Sequence, residues 1–448
     1  MALIVAVGLA GLIALVLTLA SGRTVRLWLL AGLFFSSIAV QIDVQDNVLP
    51  TLLFPIQRRR TEFVAAIGVL TLLSFLIYGV RSSGLRTSAQ TLALLVVGAY
   101  AGLLRIKHEG FNEGGLTILF AVVIIPTITA ATIGYVRSRD DLFRLLRTLA
   151  MGGIVWTGFV ALQFVANRSY VTLGNSNRFM GLLSNPQHAG AFVASIGVIT
   201  VWLAVYDPAR VLRPLWIATT GAMVIMILWS GSRTGIGMFT VGVVASMYSR
   251  FGLFILLLPV LAVVLYAGIR IAESLGIGLN TGRLASTENT RQVVWQNMLQ
   301  SGLSNPLYGV GTDNAGGSEN GYLYGFAAFG VGMLALTILM TLVSMYTSWR
   351  LFTLRRNVDR SWKPLVDLML AYIALYYAGG LFEGYFMARV ATNHFLMMVF
   401  AGAIVRVFDF ATQGEDVREF GEGAAPAVEQ GQPKDFGTGY SGDYTAPA

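Results

Sequence analysis

The stretch YLYGFAAFGVGMLALTILMTLVSMY at positions 322–346 decides the fold, because it contains no charged residue over 25 consecutive positions. An α-helix needs about 20 apolar residues to cross the roughly 30 Å of hydrocarbon in a bilayer. Comparable apolar runs recur near 2–20, 27–42, 62–80, 89–104, 115–136, 148–166, 188–206, 214–230, 234–248, 251–269, 364–386 and 390–408. We therefore expect an all-α polytopic membrane helix bundle of about 12–13 transmembrane helices.

The overall composition agrees with a membrane protein and narrows its chemistry. Of the 448 residues, 55% are hydrophobic and 12% are charged, whereas soluble domains carry about 25% charged residues. The net charge of +8 does not indicate a nucleic-acid partner, because basic residues of polytopic proteins mostly lie in cytoplasmic loops. Cysteine is absent, and His108, His188 and His394 are far apart in sequence, so we expect no metal site and no cofactor.

The distribution of basic residues predicts which loops face the cytoplasm. Segments 137–147 and 349–363 are rich in arginine and lysine, and the first has the pattern of an amphipathic interfacial helix. Alternating spans from these anchors place four intervals together on the opposite, periplasmic face: 167–187, 230–233, 271–321 and the turn near Arg389. The triplet at 58–60, three arginines, conflicts with this alternation, so the orientation of the N-terminus stays open.

Two regions differ from the apolar spans. The interval 271–321 is the longest polar stretch between them and is predicted to form one large periplasmic loop, where function is often found. Residues 409–448 contain glycine, proline, alanine and eight acidic residues, which predicts a disordered cytoplasmic tail. The chain therefore divides into a transmembrane domain over 1–408 and this tail.

Three arginines lie in the intervals that we expect on the periplasmic face: Arg178, Arg233 and Arg291. The positive-inside rule disfavours arginine there, and a planar guanidinium group is suited to bidentate contacts with phosphate. Each arginine can alternatively be a rim residue that extends its head group to water. Arg233 and Arg291 are the stronger candidates, because other polar candidates surround them.

Glu319 is the candidate general base. It lies just before the span at 322–346, where a carboxylate near arginines can accept a proton. The alternative is an acid that complements the dipole of the following helix. Trp295 and Tyr322 can stack on sugars or belong to the interfacial aromatic belt, and the belt suits Tyr322 better.

Three further ionisable residues, Asp367, Glu383 and His394, lie in predicted spans. Asp367 is near a cytoplasmic end, where we expect it to be solvated. Glu383 and His394 flank an outer turn, and both a structural ion pair and a substrate role are open for them. The run Tyr308-Gly309-Val310-Gly311 matches no nucleotide-binding fingerprint and predicts a tight backbone path.

Five motifs occur in a characteristic order over roughly residues 170–345. They are Arg178 with Asn185-Pro186, Ser232-Arg233 at a span boundary, Arg291 with Trp295, Asn305-Pro306-Leu307-Tyr308-Gly309-Val310-Gly311, and Glu319-Asn320 before Tyr322-Leu323. In this order the chain resembles the O-antigen ligase and O-antigen polymerase superfamily. It departs from the family at Gln187, where Asn is frequent, and at Glu319, where ligases usually have His.

The resemblance implies a metal-independent, inverting glycosyltransferase of the bacterial inner membrane that works at the periplasmic face. The implied substrate is a glycan on undecaprenyl pyrophosphate, surrounded by membrane lipid, and the implied partners are a flippase and a chain-length regulator. The implied catalytic residues are Arg291 and Arg233, which hold the pyrophosphate, and Glu319 as base. The expected substrate-binding residues are Arg178, Asn185, His188, Trp295, Asn320 and Tyr322.

Three functions remain open at this stage. The glutamate at position 319 favours a lipid-linked polysaccharide polymerase over a ligase that transfers a finished glycan to lipid A-core. The third hypothesis is an anion or solute transporter in which the arginines and Glu319 line the path. Transporters often contain inverted repeats and broken helices, and the sequence shows neither clearly.

Overall fold

The computed structural model of the chain describes residues 24–39, 51–74, 87–252, 290–386 and 391–413. Its helices are α1 (Thr24–Ser36), α2 (Phe54–Arg58), α3 (Arg60–Ser74), α4 (Ala89–Glu109), α5 (Phe111–Tyr135), α6 (Arg139–Ala166), α7 (Pro186–Tyr206), α8 (Arg213–Ser230), α9 (Arg233–Ser246), α10 (Tyr248–Phe251), α11 (Thr290–Ser304), α12 (Gly321–Asn357), α13 (Lys363–Gly380) and α14 (Thr392–Gln413). Strands β1 (Thr172–Leu173) and β2 (Arg178–Phe179) form an antiparallel pair with Thr172 opposite Phe179.

Seven helical segments among the described residues are long and apolar enough to cross a membrane. They are Ala89–Glu109, Phe111–Tyr135, Arg139–Ala166, Pro186–Tyr206, Arg210–Ser230, Gly321–Asn357 and Thr392–Ala411. This confirms an all-α polytopic bundle, while the total of about 12–13 spans stays a prediction. The predicted span 2–20, most of the span 251–269 and the tail from 414 onward lie outside the described residues.

Helix α7 lies at the centre of the described bundle. From Ala189 to Leu203 its residues are almost all buried, so this helix is apolar on every side. Its few polar groups are paired: the Ser195 hydroxyl donates to Asn393 Oδ1 at 2.8 Å, and the Trp202 indole donates to the Pro364 carbonyl at 2.9 Å. These bonds tie α7 to α14 and α13.

The basic segment 137–147 forms the first turns of α6 rather than the separate interfacial helix that we expected. Ser138 caps this helix by accepting a hydrogen bond from the Asp141 N–H at 3.2 Å. Arg139 donates to the Ser361 carbonyl at 3.0 Å, and Arg147 binds Asp207 through two bonds of 2.6 and 3.0 Å. These contacts place the predicted cytoplasmic segments 137–147 and 349–363 at the same end of the bundle.

Helix α12 is broken at Gly330, where φ is 80° and ψ is −173°. Few residues other than glycine adopt this backbone conformation. The Tyr322 hydroxyl lies 2.8 Å from the Thr341 hydroxyl, although 19 residues of straight helix would separate the two positions by roughly 28 Å. The segments 321–329 and 331–357 therefore form a helical hairpin, and only the second is long enough to span a bilayer.

The glycine run before α12 packs against this break. The N–H groups of Val310 and Gly311 donate to the carbonyls of Ala327 and Ala328 at 2.9 and 3.1 Å. The Val331 N–H in turn donates to the Pro306 carbonyl at 2.7 Å. These bonds satisfy backbone groups that the break removes from the helical ladder. The predicted tight backbone path is confirmed, and it serves the hairpin.

Candidate active site at one end of the bundle

Arg291, in the first turn of α11, contacts three segments that are distant in sequence. Its Nη2 group donates to the Thr234 hydroxyl at 3.0 Å and to Gln187 Oε1 at 3.4 Å. Its Nη1 group donates to the Phe382 carbonyl at 3.2 Å, and the guanidinium carbon lies 5.2 Å from the centre of the Phe382 ring. One side chain therefore joins the N-terminal turns of α7 and α9 to the turn after α13.

Two carboxylates flank Arg291 at ion-pair distances that exceed a normal hydrogen bond. Arg291 Nε lies 3.7 Å from Glu319 Oε2, and Nη2 lies 3.6 Å from Glu383 Oε1. The Glu319 side chain is 32% exposed, whereas that of Glu383 is 4% exposed. We call the group formed by Arg291, Glu319, Glu383, Thr234, Gln187 and His188 the Arg291 centre.

Glu383 is the buried acid of the Arg291 centre. Thr234 donates its hydroxyl to Glu383 Oε1 at 3.3 Å, and His188 Nε2 lies 3.7 Å from Oε2. Burial raises the pKa of Glu383 to about 8; Arg291 and the Thr234 bond lower it by smaller amounts, and the charge of Glu319 raises it. At neutral pH this carboxyl is therefore mostly protonated, and the Glu383–Arg291 contact carries little net charge attraction.

Helix α13 ends at Gly380, so Glu383 lies in the following turn. The prediction that a span continues to 386 was wrong here. An apolar run does not show where its helix ends, because Leu381 and Phe382 continue the hydrophobic pattern. This early end places Glu383 against Arg291.

Besides α11, three helices begin at the Arg291 centre, each with a side-chain cap. Asn185 caps α7 through the Gln187 N–H at 2.8 Å, Ser232 caps α9 through the Gly235 N–H at 3.0 Å, and Asn320 caps α12 through the Tyr322 and Leu323 N–H groups at 3.0 Å. A helix N-terminus carries roughly half a positive charge. Together with Arg291, these helix ends create a region that favours anions, phosphate groups included.

The other two predicted arginines lie around the turn that precedes α9. Arg178 is buried, and its Nε donates to the Ser230 carbonyl at 2.8 Å. Gly231, with φ 59°, ends α8, and Arg233 is exposed at the first position of α9, beside Thr234. The three arginines that the sequence singled out are therefore gathered around 230–234, where Arg178 fixes the turn and Arg233 is open to solvent.

Asn320, rather than Glu319, caps α12, and its amide also donates to the Leu381 carbonyl at 3.0 Å. Glu319 stands one residue before this cap and contacts Arg291, so both the dipole role and the role as base stay open for it. The Trp295 indole donates to the Glu319 carbonyl at 3.1 Å. Tyr322 is half-buried, and its hydroxyl is paired with Thr341. Trp295 thus contacts the Glu319 backbone directly, while Asn320 and Tyr322 anchor the adjoining start of α12.

Among the residues predicted to bind substrate, Asn185 is a helix cap and His188 is a half-exposed side chain beside Glu383. Both lie on the first turn of α7 or its cap, in the segment Asn185-Pro186-Gln187-His188. Pro186 suits the first helical position because it has no N–H to leave unpaired. The same short segment therefore supplies a cap, an acceptor for Arg291 and an imidazole.

Of the three further ionisable residues, Asp367 differs from the prediction. Asp367 is buried rather than solvated: it pairs with Arg355 and accepts the Ser249 N–H at 2.7 Å. His394 is also buried, and its Nδ1 lies 3.2 Å from the Tyr376 hydroxyl. Glu383 lies at ion-pair distance from Arg291 and His188, and among the described residues no ion pair joins it to His394; Arg389, in the same turn, lies outside those residues.

The Arg291 centre is recessed from the tip of the bundle. Glu319 and Tyr322 begin the short arm of the α12 hairpin, level with Thr341. Thr341 is eleven residues beyond the break at Gly330, which corresponds to roughly 16 Å of helix. The predicted periplasmic loop 271–321 is thus no simple loop: from residue 290 it contains α11, which stands beside the hairpin.

The sequence contains no signal that selects Gln187 and Thr234 for the site, whereas it leaves both a substrate role and a structural ion pair open for Glu383. Thr234 and Gln187 carry no charge, and only their neighbours Arg233 and His188 gave a signal. Within the described ranges, no group of three or more His, Asp or Glu side chains is arranged to hold a metal ion. The chain matches no protein-family model, and a search of curated proteins finds no significant match.

Proposed function

We propose that this protein is a lipid-linked polysaccharide polymerase that transfers a glycan from undecaprenyl pyrophosphate to a sugar hydroxyl. The main support is the position of Arg291, which lies between two carboxylates where three capped helix N-termini meet. Such a site offers positive charge to a pyrophosphate and a carboxylate to an acceptor. It needs no metal ion to stabilise the leaving group.

The proposed reaction is a single displacement. The acceptor hydroxyl oxygen bonds to the anomeric carbon, while the bond from that carbon to the pyrophosphate oxygen breaks. The hydroxyl proton passes to Glu319, and the carrier leaves as undecaprenyl pyrophosphate with the bonding electron pair. Attack from the opposite side inverts the anomeric centre. Arg291, the exposed Arg233 and the helix N-termini stabilise the growing charge on the leaving group.

Glu319 is better placed than Glu383 to accept the proton. Glu319 is one-third exposed and therefore accessible to an acceptor sugar, whereas Glu383 is almost fully buried. Because the pKa of Glu383 is about 8, its carboxyl is mostly protonated at neutral pH and cannot accept a second proton. A neutral Glu383 also competes less with a pyrophosphate for Arg291.

Exposed apolar side chains adjoin the Arg291 centre, as a polyprenyl carrier requires. Leu381 and Phe382, next to Glu383, are 47% and 40% exposed, and Val293 on α11 is 60% exposed. A lipid-linked pyrophosphate carries its charged group next to a hydrocarbon chain. The cationic Arg291 beside these exposed apolar side chains matches that combination.

The proposal is tested with Arg291→Ala in a strain that lacks the native copy. Removing one stabilising cation from a developing charge should reduce polymer formation at least about 100-fold. Because Glu383 is mostly protonated at neutral pH, the change leaves no unpaired buried charge, and the protein should still insert. The matched control is Arg168→Ala, an exposed arginine at the same end that lies 5.9 Å from the Trp229 ring.

Polymer chain length on a gel, together with protein level in the membrane, gives the result. Normal chain lengths with Arg291→Ala would refute the role of Arg291 in holding pyrophosphate. Loss of polymer in both variants would point to a general defect at this end of the bundle. Transfer of preformed glycan to lipid A-core, with no growth in chain length, would favour a ligase over a polymerase.

The break in α12 is one observation that favours a transporter, since transporters use discontinuous helices at their binding sites. There, unwound carbonyls coordinate the transported ion. In this protein the carbonyls of Ala327 and Ala328 accept hydrogen bonds from Val310 and Gly311. The break is therefore closed by its own loop, and the polymerase remains the better-supported proposal.

A further inference from the structure

A cavity of about 450 Å³ opens at the other end of the bundle, the end that the sequence predicts to be cytoplasmic. Its lining residues are Tyr206, Ser249, Arg250, Arg355, Arg360, Lys363 and Pro364. They come from the end of α7, from α10, from the end of α12, from the turn between α12 and α13, and from the start of α13. Four of these seven described residues are cationic, which is unusual for a space between apolar helices.

One of these cations is compensated and holds the cavity together. Arg355 pairs with the buried Asp367, and its Nη2 donates to the Ser249 hydroxyl at 3.1 Å. Asp367 also accepts the Ser249 N–H at 2.7 Å, and the Arg355 guanidinium carbon lies 4.6 Å from the Tyr248 ring centre. This network fixes α10 against α12 and α13, so the walls of the cavity are rigidly connected.

The other three cations are not balanced by an acidic side chain in the part of the protein that the structure describes. Among the described residues, no carboxylate forms an ion pair with Arg250, Arg360 or Lys363. With Arg355 balanced by Asp367, the cavity carries a net charge of +3 from these three residues. The Tyr206 hydroxyl, also in the lining, has no hydrogen-bond partner within the part of the chain that the structure describes.

We propose that this cavity binds the phosphate group of an anionic ligand. Arginine forks and an ammonium group match phosphate oxygens in charge and geometry, and the Ser249 and Tyr206 hydroxyls add neutral donors. A cluster of cations at the cytoplasmic surface of a membrane also attracts anionic lipids. The phosphate comes either from a lipid head group or from a soluble phosphate compound.

The test compares the purified full-length protein with two double variants. Arg360→Ala/Lys363→Ala removes two cations of the cavity that form no ion pair with any described acidic residue. Arg350→Ala/Arg356→Ala removes the same charge from neighbouring arginines that stack on Phe408 and Phe352 outside the cavity. Each protein is placed in nanodiscs of phosphatidylcholine with a minor fraction of phosphatidylglycerol, and the co-purified phosphatidylglycerol is quantified by native mass spectrometry.

The wild type and the Arg350/Arg356 variant should retain phosphatidylglycerol. The Arg360/Lys363 variant should bind it about 30-fold more weakly, because each cation near the surface changes the affinity for anionic lipid about fivefold. Equal retention by all three proteins, or equal loss in both variants, overturns the proposal. If the Arg360/Lys363 variant does not fold, Arg250→Ala on α10 replaces it, with the same expected direction.

A second measurement identifies the source of the phosphate. The detergent-solubilised protein is titrated with inorganic phosphate and with glycerol phosphate, and its melting temperature is followed. Stabilisation that disappears in the Arg360/Lys363 variant indicates a soluble phosphate compound, whereas retention of phosphatidylglycerol without such stabilisation indicates a lipid. If neither probe distinguishes the wild type from the cavity variant, the cavity does not bind phosphate.

Discussion

Replacing Glu383 with glutamine should make the stability of the folded protein less dependent on pH. In the wild type, burial raises the pKa of this carboxyl from 4.5 to about 8. The folded state therefore keeps a proton that the unfolded chain releases above pH 4.5. The contribution of Glu383 to stability is complete below pH 4.5 and is progressively lost as the pH rises towards 8.

The size of this effect follows from the two pKa values. At about 1.36 kcal/mol for each pH unit, the difference between 4.5 and about 8 corresponds to about 5 kcal/mol once Glu383 is ionised. Glutamine has nearly the same shape, carries no charge and can still accept the Thr234 bond. We expect Glu383→Gln to match the wild type near pH 5 and to be more stable by a few kcal/mol near pH 9.

Unfolding in mixed micelles at constant ionic strength, measured at several pH values for both proteins, gives this difference. Glu319→Gln is the matched control, because its carboxylate contacts the same arginine from a more exposed position. Infrared titration supplies a second measurement: the band of a protonated carboxyl at neutral pH should be absent from Glu383→Gln. A stability difference that stays constant from pH 5 to pH 9 would refute the assignment of a protonated Glu383.

Three other changes test the site and the fold. Glu319→Gln should lower the polymerisation rate by about 100-fold or more, since a general base contributes roughly 10²–10⁴; unchanged turnover in membrane vesicles would return Glu319 to a structural role. Gly330→Ala should destabilise the protein by about 1–3 kcal/mol, because alanine is strained at this φ and ψ, and equal melting temperatures would contradict the hairpin. Asp367→Ala should lower the free energy of unfolding by about 3–5 kcal/mol, because it leaves Arg355 unpaired in a mostly buried position. Asp359→Ala, at an exposed position, is the control.

The convergence of distant segments on Arg291 could be predicted from the sequence. Alternating apolar spans, anchored by basic segments, placed 167–187, 230–233 and 271–321 on one face, and contacts of Arg291 with Gln187 and Thr234 confirm that these segments meet. A helix that crosses a bilayer has its two ends on opposite sides. The side on which a loop lies therefore follows from the number of spans between that loop and a basic anchor segment.

Other features could not be predicted, because they depend on where helices end and bend. Gly330 lies within an apolar run that reads as one continuous span, and nothing local distinguishes it from the other glycines there. Glu383 was assigned to a span because apolar residues surround it. Asp367 was expected to be solvated, since its partner Arg355 is on another helix and the sequence does not show their contact.

The hairpin in α12 has a consequence for how the proposed base, Glu319, is held. Glu319 precedes the arm 321–329, which joins the membrane-crossing arm through Gly330 and the Tyr322–Thr341 hydrogen bond, and joins the loop at 306–311 through backbone bonds. Arg291 belongs to α11 and is anchored to α7, α9 and the turn after α13. The Trp295 bond to the Glu319 carbonyl and the Arg291–Glu319 ion pair also join α11 to the start of this arm, so a substitution that shifts the arm should displace the proposed base and the proposed pyrophosphate-binding arginine together.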